Sequence, residues 1–513
     1  MKKKLPIGKQ SFEVMRSEEY VYIDKTEQVL DLINNGTYYF LSRPRRFGKS
    51  LLVDTMHCLF EGKRDLFAGL YIKDKRDRDQ TFPVIKISFG SGNIVDRKYL
   101  KTIIHEFLET QARNENIQLI STTSKWKFEE LVIWMYNKYQ QAVVILVDKY
   151  DKPLLDNISK PWIRNEIRDE LKWFYGTIKD LDKYLKFVFL TGITKFNKVS
   201  LFSWLNNLED ITLDVRYGEI CGYTLDEIKN SFWNKRLNWV DYKQLQYWYN
   251  GFNFLWQNKV FNPFDVLLYL KNKQFKNYWF ETATPSFLIK ILKENKDKYY
   301  LPDLFKLTAG EELLASFDVD HITIETLLFQ AGYLTIDKIK QFGNEILYDL
   351  KTPNHEIKSA LTNFLVKEYL GFDNLWLKGK ITTHVRESLR DGKPEVIVEQ
   401  IKVMFAHISY TNHIKNHLAM YEGYYSSVVY SFFYGIWAEI ITEDTTNEGR
   451  INLVIRYENN IFILEFKVEK SWKTALEQIK DKNYAQKYGN YKVHLIGINF
   501  DMEKRQVESW EVE

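Results

Sequence analysis

The stretch TYYFLSRPRRFGKSLL, residues 37–52, decides the fold of the N-terminal part of this chain. A β-rich run over residues 37–43 predicts a short strand, and a helical pattern begins at Lys49. Between them, Gly48-Lys49-Ser50 matches the end of a phosphate-binding loop, in which backbone N–H groups and the lysine hold phosphates and the hydroxyl binds Mg²⁺. Arg43 stands where the usual pattern has its first glycine. The alternative, a basic turn before a helix, leaves Gly-Lys-Ser at this junction unexplained.

A phosphate-binding loop needs an acidic partner on another strand, and Asp148 ends the apolar run QAVVILVD, residues 141–148. Such a run is typical of a strand buried on both faces of a parallel sheet, and its terminal carboxylate can order the shell of a Mg²⁺ ion. In many ATPases of this type a glutamate follows and positions the attacking water. Here Lys149 follows, and an ammonium is no general base near neutral pH unless its pKa is strongly lowered. Asp151 is a candidate substitute, with a helix N-cap or turn as the alternative.

The second apolar run, KFVFLTGIT over residues 186–194, carries two threonines at its end. They are candidate sensors of the γ-phosphate, or simply hydroxyl groups at a strand end. The predicted nucleotide site therefore consists of Arg45, Arg46, Phe47, Gly48, Lys49, Ser50, Asp148, Asp151, Thr191 and Thr194, with Ser50 and Asp148 as ligands of Mg²⁺.

Strands and helices alternate in the first part of the chain. PVIKISF at 83–89 is another predicted strand, and the spacing in 125–139 predicts a helix. This alternation predicts a three-layer α/β domain. From about 225 to 336 the helical pattern dominates, and we expect 337–420 to be mostly helical as well.

The C-terminal part predicts a small mixed α/β module. A helix at about 419–440 leads to a polar loop at 441–450 and to two strands at 451–457 and 461–468, and a helix at about 472–487 precedes a strand at 492–500. Alternation along the second strand puts Glu465 and Lys467 on one face and Phe466 on the other. On their own, these two charges also fit a surface pair on an edge strand.

Composition excludes several classes of protein. Lys plus Arg number 72 and Asp plus Glu 68, so the net charge of +4 is too small for a globally basic nucleic-acid coat, although a local basic groove is compatible with it. Hydrophobic residues make up 45%, which excludes wholesale disorder. Cys58 and Cys221 are too few for a disulfide framework and fit a reducing compartment. With neither a signal-peptide core nor an apolar stretch of membrane-spanning length, we expect a cytoplasmic protein.

In order along nearly its whole length, the chain resembles bacterial AAA-ATPase-like proteins that carry a C-terminal PD-(D/E)XK nuclease-like domain. The resemblance implies that Arg43 is the expected residue, since SRPRRFGKS is the family form, and that a glutamate is expected where this chain has Lys149. It rests on LPIGKQSFEVMR, YVYIDKT, LSRPRRFGKSLL, LVDKYDKPLLD, FLTGITKF, SLFSWLNNLEDITLD, CGYTLDEI, WYNGFNF, FNPFDVL, NYWFETATPSFL, LLFQAGYLTI, GRINLVI and EFK.

The resemblance also implies the residues of a nuclease core. In such cores two acids hold Mg²⁺ and a lysine orients water or stabilises charge at the scissile phosphate. The family pattern resembles G-R-x-D-L-V-I, where this chain has Asn452, and a neutral amide binds Mg²⁺ less well than a carboxylate. We therefore expect strongly reduced or absent cleavage. The implied catalytic set is Glu465, Lys467, Asn452, Gln478, Tyr484 and Glu422, with Glu465 as a metal ligand.

Three functions are compatible with these residues. The first is a protein in which ATP, bound in a P-loop AAA-ATPase-like domain at 1–224, acts through a helical middle region at 225–400 on a nuclease-like domain at 401–513 whose target is DNA or RNA. The second is a pseudoenzyme that binds ATP and nucleic acid without cleavage, which Lys149 and Asn452 favour. The third is an ATPase that remodels a protein partner. Assembly of several copies, and a role in defence by analogy with the family, are further expectations.

Overall fold

The computed structural model divides the chain into two units, Met1–Lys290 with Leu307–Glu356, and Ile291–Lys306 with Ile357–Glu513. The predicted division into three domains stays a prediction. The structure describes residues 3–75, 80–90, 92–196, 207–232, 239–255, 258–283, 306–310, 323–370, 375–406, 422–436, 438–446, 449–468, 472–481, 484–501, 504 and 506–513.

A five-stranded sheet with parallel pairing forms the centre of the first unit, in the order β2-β3-β4-β1-β5. The central strands are mostly apolar and almost completely buried because helices cover both faces of such a sheet. The predicted α/β class is confirmed. The strands are β1 (Tyr38–Ser42), β2 (Val84–Ser88), β3 (Val143–Asp148), β4 (Leu185–Gly192) and β5 (Glu209–Asp210); the helices are α1 (Phe12–Ser17), α2 (Thr26–Asn35), α3 (Lys49–Phe60), α4 (Arg97–Asn114), α5 (Ser124–Tyr139), α6 (Lys152–Leu155) and α7 (Pro161–Asp180).

Helices continue in the rest of the first unit, as predicted for the middle of the chain. They are α8 (Leu225–Phe232), α9 (Tyr242–Tyr249), α10 (Pro263–Asn272), α11 (Tyr278–Ala283) and α12 (Ile324–Ala331). The prediction that 337–420 is mostly helical is wrong at its start, where β7 (Thr335–Phe342) and β8 (Glu345–Lys351) form an antiparallel hairpin in a sheet with β6 (Lys306–Ala309). Alternating side chains on both sides of Gly343-Asn344 are a hairpin signal that could have revealed it.

The second unit contains a five-stranded mixed sheet of order β13-β12-β11-β10-β9, as expected for the small α/β module. The prediction of a polar loop at 441–450 is wrong, because most of it is β9, which pairs antiparallel with β10. Polar and charged residues are common on edge strands, where they discourage pairing with other chains. The strands are β9 (Glu439–Thr446), β10 (Gly449–Tyr457), β11 (Asn460–Val468), β12 (Lys492–Asp501) and β13 (Gln506–Val512); the helices are α13 (His355–Leu370), which begins in the first unit, α14 (Leu375–Asp391), α15 (Pro394–Ala406), α16 (Glu422–Gly435) and α17 (Trp472–Asp481).

Across the described ranges, no helix is both long enough and apolar enough to cross a membrane.

Candidate functional site

The loop between β1 and α3 has the backbone shape of a phosphate cradle. Arg46 and Gly48 adopt left-handed conformations, with φ of 67° and 91°, which turn the chain sharply into the first turn of α3. Lys49 is buried, and its Nζ donates to the carbonyl oxygens of Arg43 at 2.9 Å and of Pro44 at 2.8 Å. Burial lowers the pKa of Lys49 to about 8. The ammonium group of Lys49 therefore lies against the backbone of the loop in which a phosphate would bind.

Arg43 holds the loop to the sheet. Its guanidinium is buried and donates to the carbonyl oxygens of Ser42, Thr212 and Tyr217 at 2.7–3.0 Å. It also lies 3.9 Å from the ring centre of Phe254. Burial lowers the pKa of Arg43 to about 10. These contacts give a structural reason for an arginine where the usual loop has glycine: its side chain joins the end of β1 to the segment at 212–217.

Residues far along the chain support the same loop. The carbonyl oxygen of Arg45 accepts from Trp279 Nε1 at 3.0 Å and from Asn262 Nδ2 at 3.4 Å. Phe47 is buried, with its ring edge to face against Phe252 at 4.7 Å. The sequence interpretation assigned no role at the loop to Trp279, Asn262 or Phe252. The blocks NYWFETATPSFL, FNPFDVL and WYNGFNF that contain them were the available signal.

Ser50 and Asp148, the two predicted ligands of Mg²⁺, are joined by a hydrogen bond. Ser50 Oγ donates to Asp148 Oδ2 at 2.7 Å, and the carboxylate lies at the end of β3 beside the loop. Asp148 is buried, and its Oδ1 has no hydrogen-bond partner within the described part of the chain. A hydroxyl, a carboxylate and a free buried oxygen are the donor set that Mg²⁺ prefers. The residues present therefore fit this ion.

Lys149 places a cation at the same carboxylate. Its Nζ lies 3.6 Å from Asp148 Oδ2. The backbone of Lys149 is left-handed, with φ of 58°, which is uncommon for a residue that is not glycine. The side chain lies against Gly90 just beyond β2, where an added Cβ would come within 2.7 Å of Lys149 Nζ. The ammonium therefore lies at the carboxyl edge of the sheet.

The side chains of Asp151 and of the two predicted threonine sensors form hydrogen bonds within the protein. Asp151 Oδ2 accepts from the backbone N–H groups of Ile193 and Thr194 and from Thr194 Oγ1, all at 2.7–2.8 Å. Burial raises the pKa of Asp151. Thr191 Oγ1 donates to the carbonyl oxygen of Leu41 at 2.8 Å. A sensor role needs Thr191 or Thr194 to exchange its bond for one to a phosphate, and it stays a prediction.

A cavity of about 440 Å³ lies over the phosphate cradle. One part of its wall is apolar and includes Ile23, Tyr223 and Phe264, and Asp151 is an acid of the lining. The basic side chains of the lining are Lys9, Lys25, Arg45, Arg46, Lys49, Lys149 and Lys152.

In the second unit, Glu465 and Lys467 lie together on β11, as the alternation predicted. Lys467 Nζ is 3.5 Å from Glu465 Oε1, and the two side chains are 12% and 2% exposed. Phe466 is fully buried. β11 pairs with strands on both sides, so the alternative of a surface pair on an edge strand is wrong. Two buried charges are tolerated in a protein interior only when they are paired and further hydrogen bonds satisfy their remaining polar groups.

The remaining predicted nuclease residues lie in elements around β11. Asn452 is in β10, one residue before Leu453, which pairs with Leu464 of β11. The side chains of Asn452, Gln478, Tyr484 and Glu422 lie outside the described residues, although their backbones are in β10, α17, a 3₁₀ turn at Tyr484–Tyr488 and α16. Within the described side chains, no group of three or more His, Cys, Asp or Glu could hold a metal ion.

Comparison with known proteins identifies the families of the two ends of the chain. Residues 6–202 match the family model "Predicted AAA-ATPase", and residues 420–510 match the PD-(D/E)XK nuclease superfamily. The chain is 40% identical over 518 residues to an "Uncharacterized protein in vnfD 5'region" of Azotobacter chroococcum mcd 1, with 100% of this chain and 99% of the relative covered. The chain belongs to this AAA-ATPase-like family with a C-terminal PD-(D/E)XK nuclease domain. No solved structure matches it.

Two residues of this AAA-ATPase-like chain lie where the sequence analysis expected a carboxylate. Lys149 Nζ lies 3.6 Å from Asp148 at the end of β3, and Asn452 lies in β10. That either residue weakens its site stays a prediction.

Proposed function

We propose that the first unit binds a nucleoside triphosphate, ATP, with its phosphates in the cradle at 45–50. The observation that carries this proposal is the cavity of about 440 Å³, lined by basic side chains around Lys49 and by an apolar wall. Cationic and apolar walls side by side suit a ligand with a charged tail and a flat base. Ser50 and Asp148 would hold Mg²⁺, which when bound neutralises phosphate charge. Lys49 would exchange its two carbonyl oxygens for phosphate oxygens.

Binding of a fluorescent ATP analogue tests this part of the proposal. We expect saturable binding that unlabelled ATP displaces, and loss of at least about tenfold in affinity in Lys49→Ala, a change of about 1.4 kcal/mol. Lys160→Ala, an exposed lysine outside the cavity lining, is the control and should bind like wild type. Equal affinity of Lys49→Ala and wild type would contradict the proposed site.

We further propose that the second unit acts on the phosphodiester backbone of DNA or RNA in the cytoplasm. The buried pair of Glu465 and Lys467 supports this, because an acid for a metal ion and a lysine for the phosphate lie 3.5 Å apart on one strand. Asn452 weakens the metal site. A second candidate function, nucleotide-gated binding of nucleic acid without cleavage, is favoured by Asn452 and Lys149 together. Defence against foreign DNA and assembly of several copies are further proposals from the family resemblance.

Nicking of supercoiled plasmid with Mg²⁺ or Mn²⁺, with and without ATP, distinguishes these functions. If wild type cuts and Lys467→Ala does not, another group replaces the missing acid. If only Asn452→Asp cuts, the chain is a disabled nuclease and binding is its function. Lys504→Ala, with a side chain 76% exposed, is the charge control in the same unit. If neither wild type nor either site variant nicks the plasmid, the result contradicts action on DNA and favours remodelling of a protein partner.

A further inference from the structure

The residue that replaces the family's glutamate brings a positive charge to the candidate Mg²⁺ ligands. Asp148 Oδ2 accepts from Ser50 Oγ at 2.7 Å and lies 3.6 Å from Lys149 Nζ. One carboxylate oxygen is therefore shared by the hydroxyl that would bind the metal ion and by an ammonium group. A fixed cation and a divalent ion at the same oxygen repel each other, so Lys149 competes with Mg²⁺ for Asp148.

Lys149 also differs from the other lysines of the cavity in what it contacts. Lys25 pairs with Glu227 at 2.5 Å, and Lys152 pairs with Asp156 at 2.5 Å, so the charge of each is matched by an acid that is not a predicted metal ligand. Lys149 instead pairs with Asp148, the predicted metal ligand. Its positive charge thus lies at the position where the family places an acid.

The conformation of Lys149 fixes this position. A left-handed backbone at a lysine costs on the order of 1 kcal/mol, and it directs the side chain over Gly90 at the carboxyl edge of the sheet. Both residues line the cavity together with Lys49. Lys149 Nζ is 3.6 Å from Asp148 Oδ2, which is an ion-pair distance and not a hydrogen bond. A phosphate that enters the cradle would accept from one of the three N–H donors of the ammonium.

We propose that Lys149 supplies, beside Asp148, part of the positive charge that Mg²⁺ would bring to the phosphates, so that this chain binds nucleoside triphosphate with or without a divalent cation. The inference rests on the proposed nucleotide site. It follows from charge: Lys149 adds a positive charge to the basic lining around Lys49, and an acid at position 149 would put a negative charge in its place. With the acid, the phosphates would need a metal ion to approach Asp148.

Affinity for the ATP analogue in Mg²⁺ and in excess EDTA tests this inference. We expect wild type to change by less than about threefold between the two conditions, which is less than about 0.7 kcal/mol. Lys149→Glu should lose at least about tenfold in EDTA and regain affinity with Mg²⁺. Lys149→Gln, which removes the charge and adds none, should lose less. Lys160→Gln, an exposed lysine outside the lining, is the matched control.

The outcomes separate this inference from the proposed function. Binding by wild type only in Mg²⁺ overturns the inference and leaves the nucleotide site in place. Absence of binding in both conditions overturns the nucleotide site itself. Thermal melting checks that each variant folds; if Lys149→Glu does not, Lys149→Gln decides, and equal EDTA affinity of Lys149→Gln and wild type overturns the role of the ammonium.

Discussion

At the scale of single residues, Arg43 shows how a departure from a motif can stabilise the fold. Its three hydrogen bonds to buried carbonyl oxygens tie β1 to the segment at 212–217. We expect Arg43→Gly, which restores the usual loop glycine, to lower the free energy of unfolding by about 3 kcal/mol or more, since it leaves buried acceptors without a donor.

Urea denaturation measures this loss. The matched control is Arg46→Gly, because Arg46 is exposed and has a positive φ that glycine adopts without strain. We expect that variant to be as stable as wild type or slightly more stable. If the urea midpoint of Arg43→Gly equals that of wild type, the hydrogen bonds of the guanidinium do not stabilise the fold.

Asp265 predicts a pH dependence of stability. Burial, and then the nearby Glu356, raise the pKa of Asp265 well above its ordinary value. The folded protein therefore keeps a proton that the unfolded chain releases above about pH 4, so stability from this group is full below that pH and falls as pH rises toward the folded pKa. Tyr249 also faces the pair, and its hydroxyl donates to the carbonyl oxygen of Lys276.

Asp265→Asn should remove the loss of stability at high pH. The side-chain amide of asparagine donates a hydrogen bond to Glu356 and does not titrate. We expect it to raise the free energy of unfolding at pH 8 by about 1–2 kcal/mol and to leave it nearly unchanged at pH 4. Asp226→Asn, on the exposed face of α8, is the control. Melting curves at several pH values test this prediction. A gain in stability that is equal at pH 4 and pH 8 would show that the proton on Asp265 does not cause the pH dependence.

At the scale of elements, the residue that follows α12 lies close to the phosphate-binding loop. Gly332 ends this helix with φ of 89°, and a Cβ there would lie 2.6 Å from Pro44 Cγ. Pro44 gives one of the two carbonyl oxygens that hold Lys49. We expect Gly332→Ala to lower ATP affinity at least about threefold, or about 0.7 kcal/mol, because it pushes this loop out of place.

The hairpin turn offers a matched control for this prediction. Gly343 has φ of 61°, and no atom lies within 4 Å of the position of a Cβ. Gly343→Ala thus has the same kind of backbone strain, about 1 kcal/mol, without a clash against the loop. Titration of both variants with the ATP analogue separates the two effects. If both variants bind alike, the contact with Pro44 does not shape the site.

Elements with an unambiguous pattern were predictable from sequence. β3 and most of β4 are continuous apolar runs, and β10 and β11 are apolar segments joined by a short polar turn. β9, β13 and the hairpin of β7 and β8 were missed because their outer faces are polar and much of their stability comes from pairing with neighbours, which a local pattern does not contain. Glu465 and Lys467 were predictable as a pair because alternation along one strand fixes their common face.

At the scale of the whole molecule, the predicted phosphate loop depends on contacts that span the sequence. Trp279 and Arg45 are joined by a hydrogen bond across 234 residues. No local pattern gives such a contact, since the tertiary fold alone brings these segments together. The motif therefore predicted the candidate phosphate-binding residues, whereas the structure was needed to show what holds them in place.

The same tryptophan connects the phosphate loop to the helix that enters the second unit. Trp279 Nε1 donates to the carbonyl oxygen of Arg45 at 3.0 Å, and the backbone N–H of Trp279 donates to Glu356 Oε1 at 2.6 Å. Glu356 lies in the first turn of α13, which begins in the first unit and continues into the second. A nucleotide that moves the loop would therefore act on this helix through two hydrogen bonds.

We expect ATP to change the rate at which Asn452→Asp nicks plasmid by at least about threefold, or about 0.7 kcal/mol in the barrier. Adding Trp279→Phe should reduce this change while nicking without ATP stays the same, because phenylalanine keeps most of the aromatic body and loses the Nε1–H donor. Trp173→Phe, in α7, is the control, since it changes a tryptophan that is 61% exposed and takes no part in these two hydrogen bonds. An ATP effect that survives fully in Trp279→Phe would show that the nucleotide acts by a route other than this pair of bonds.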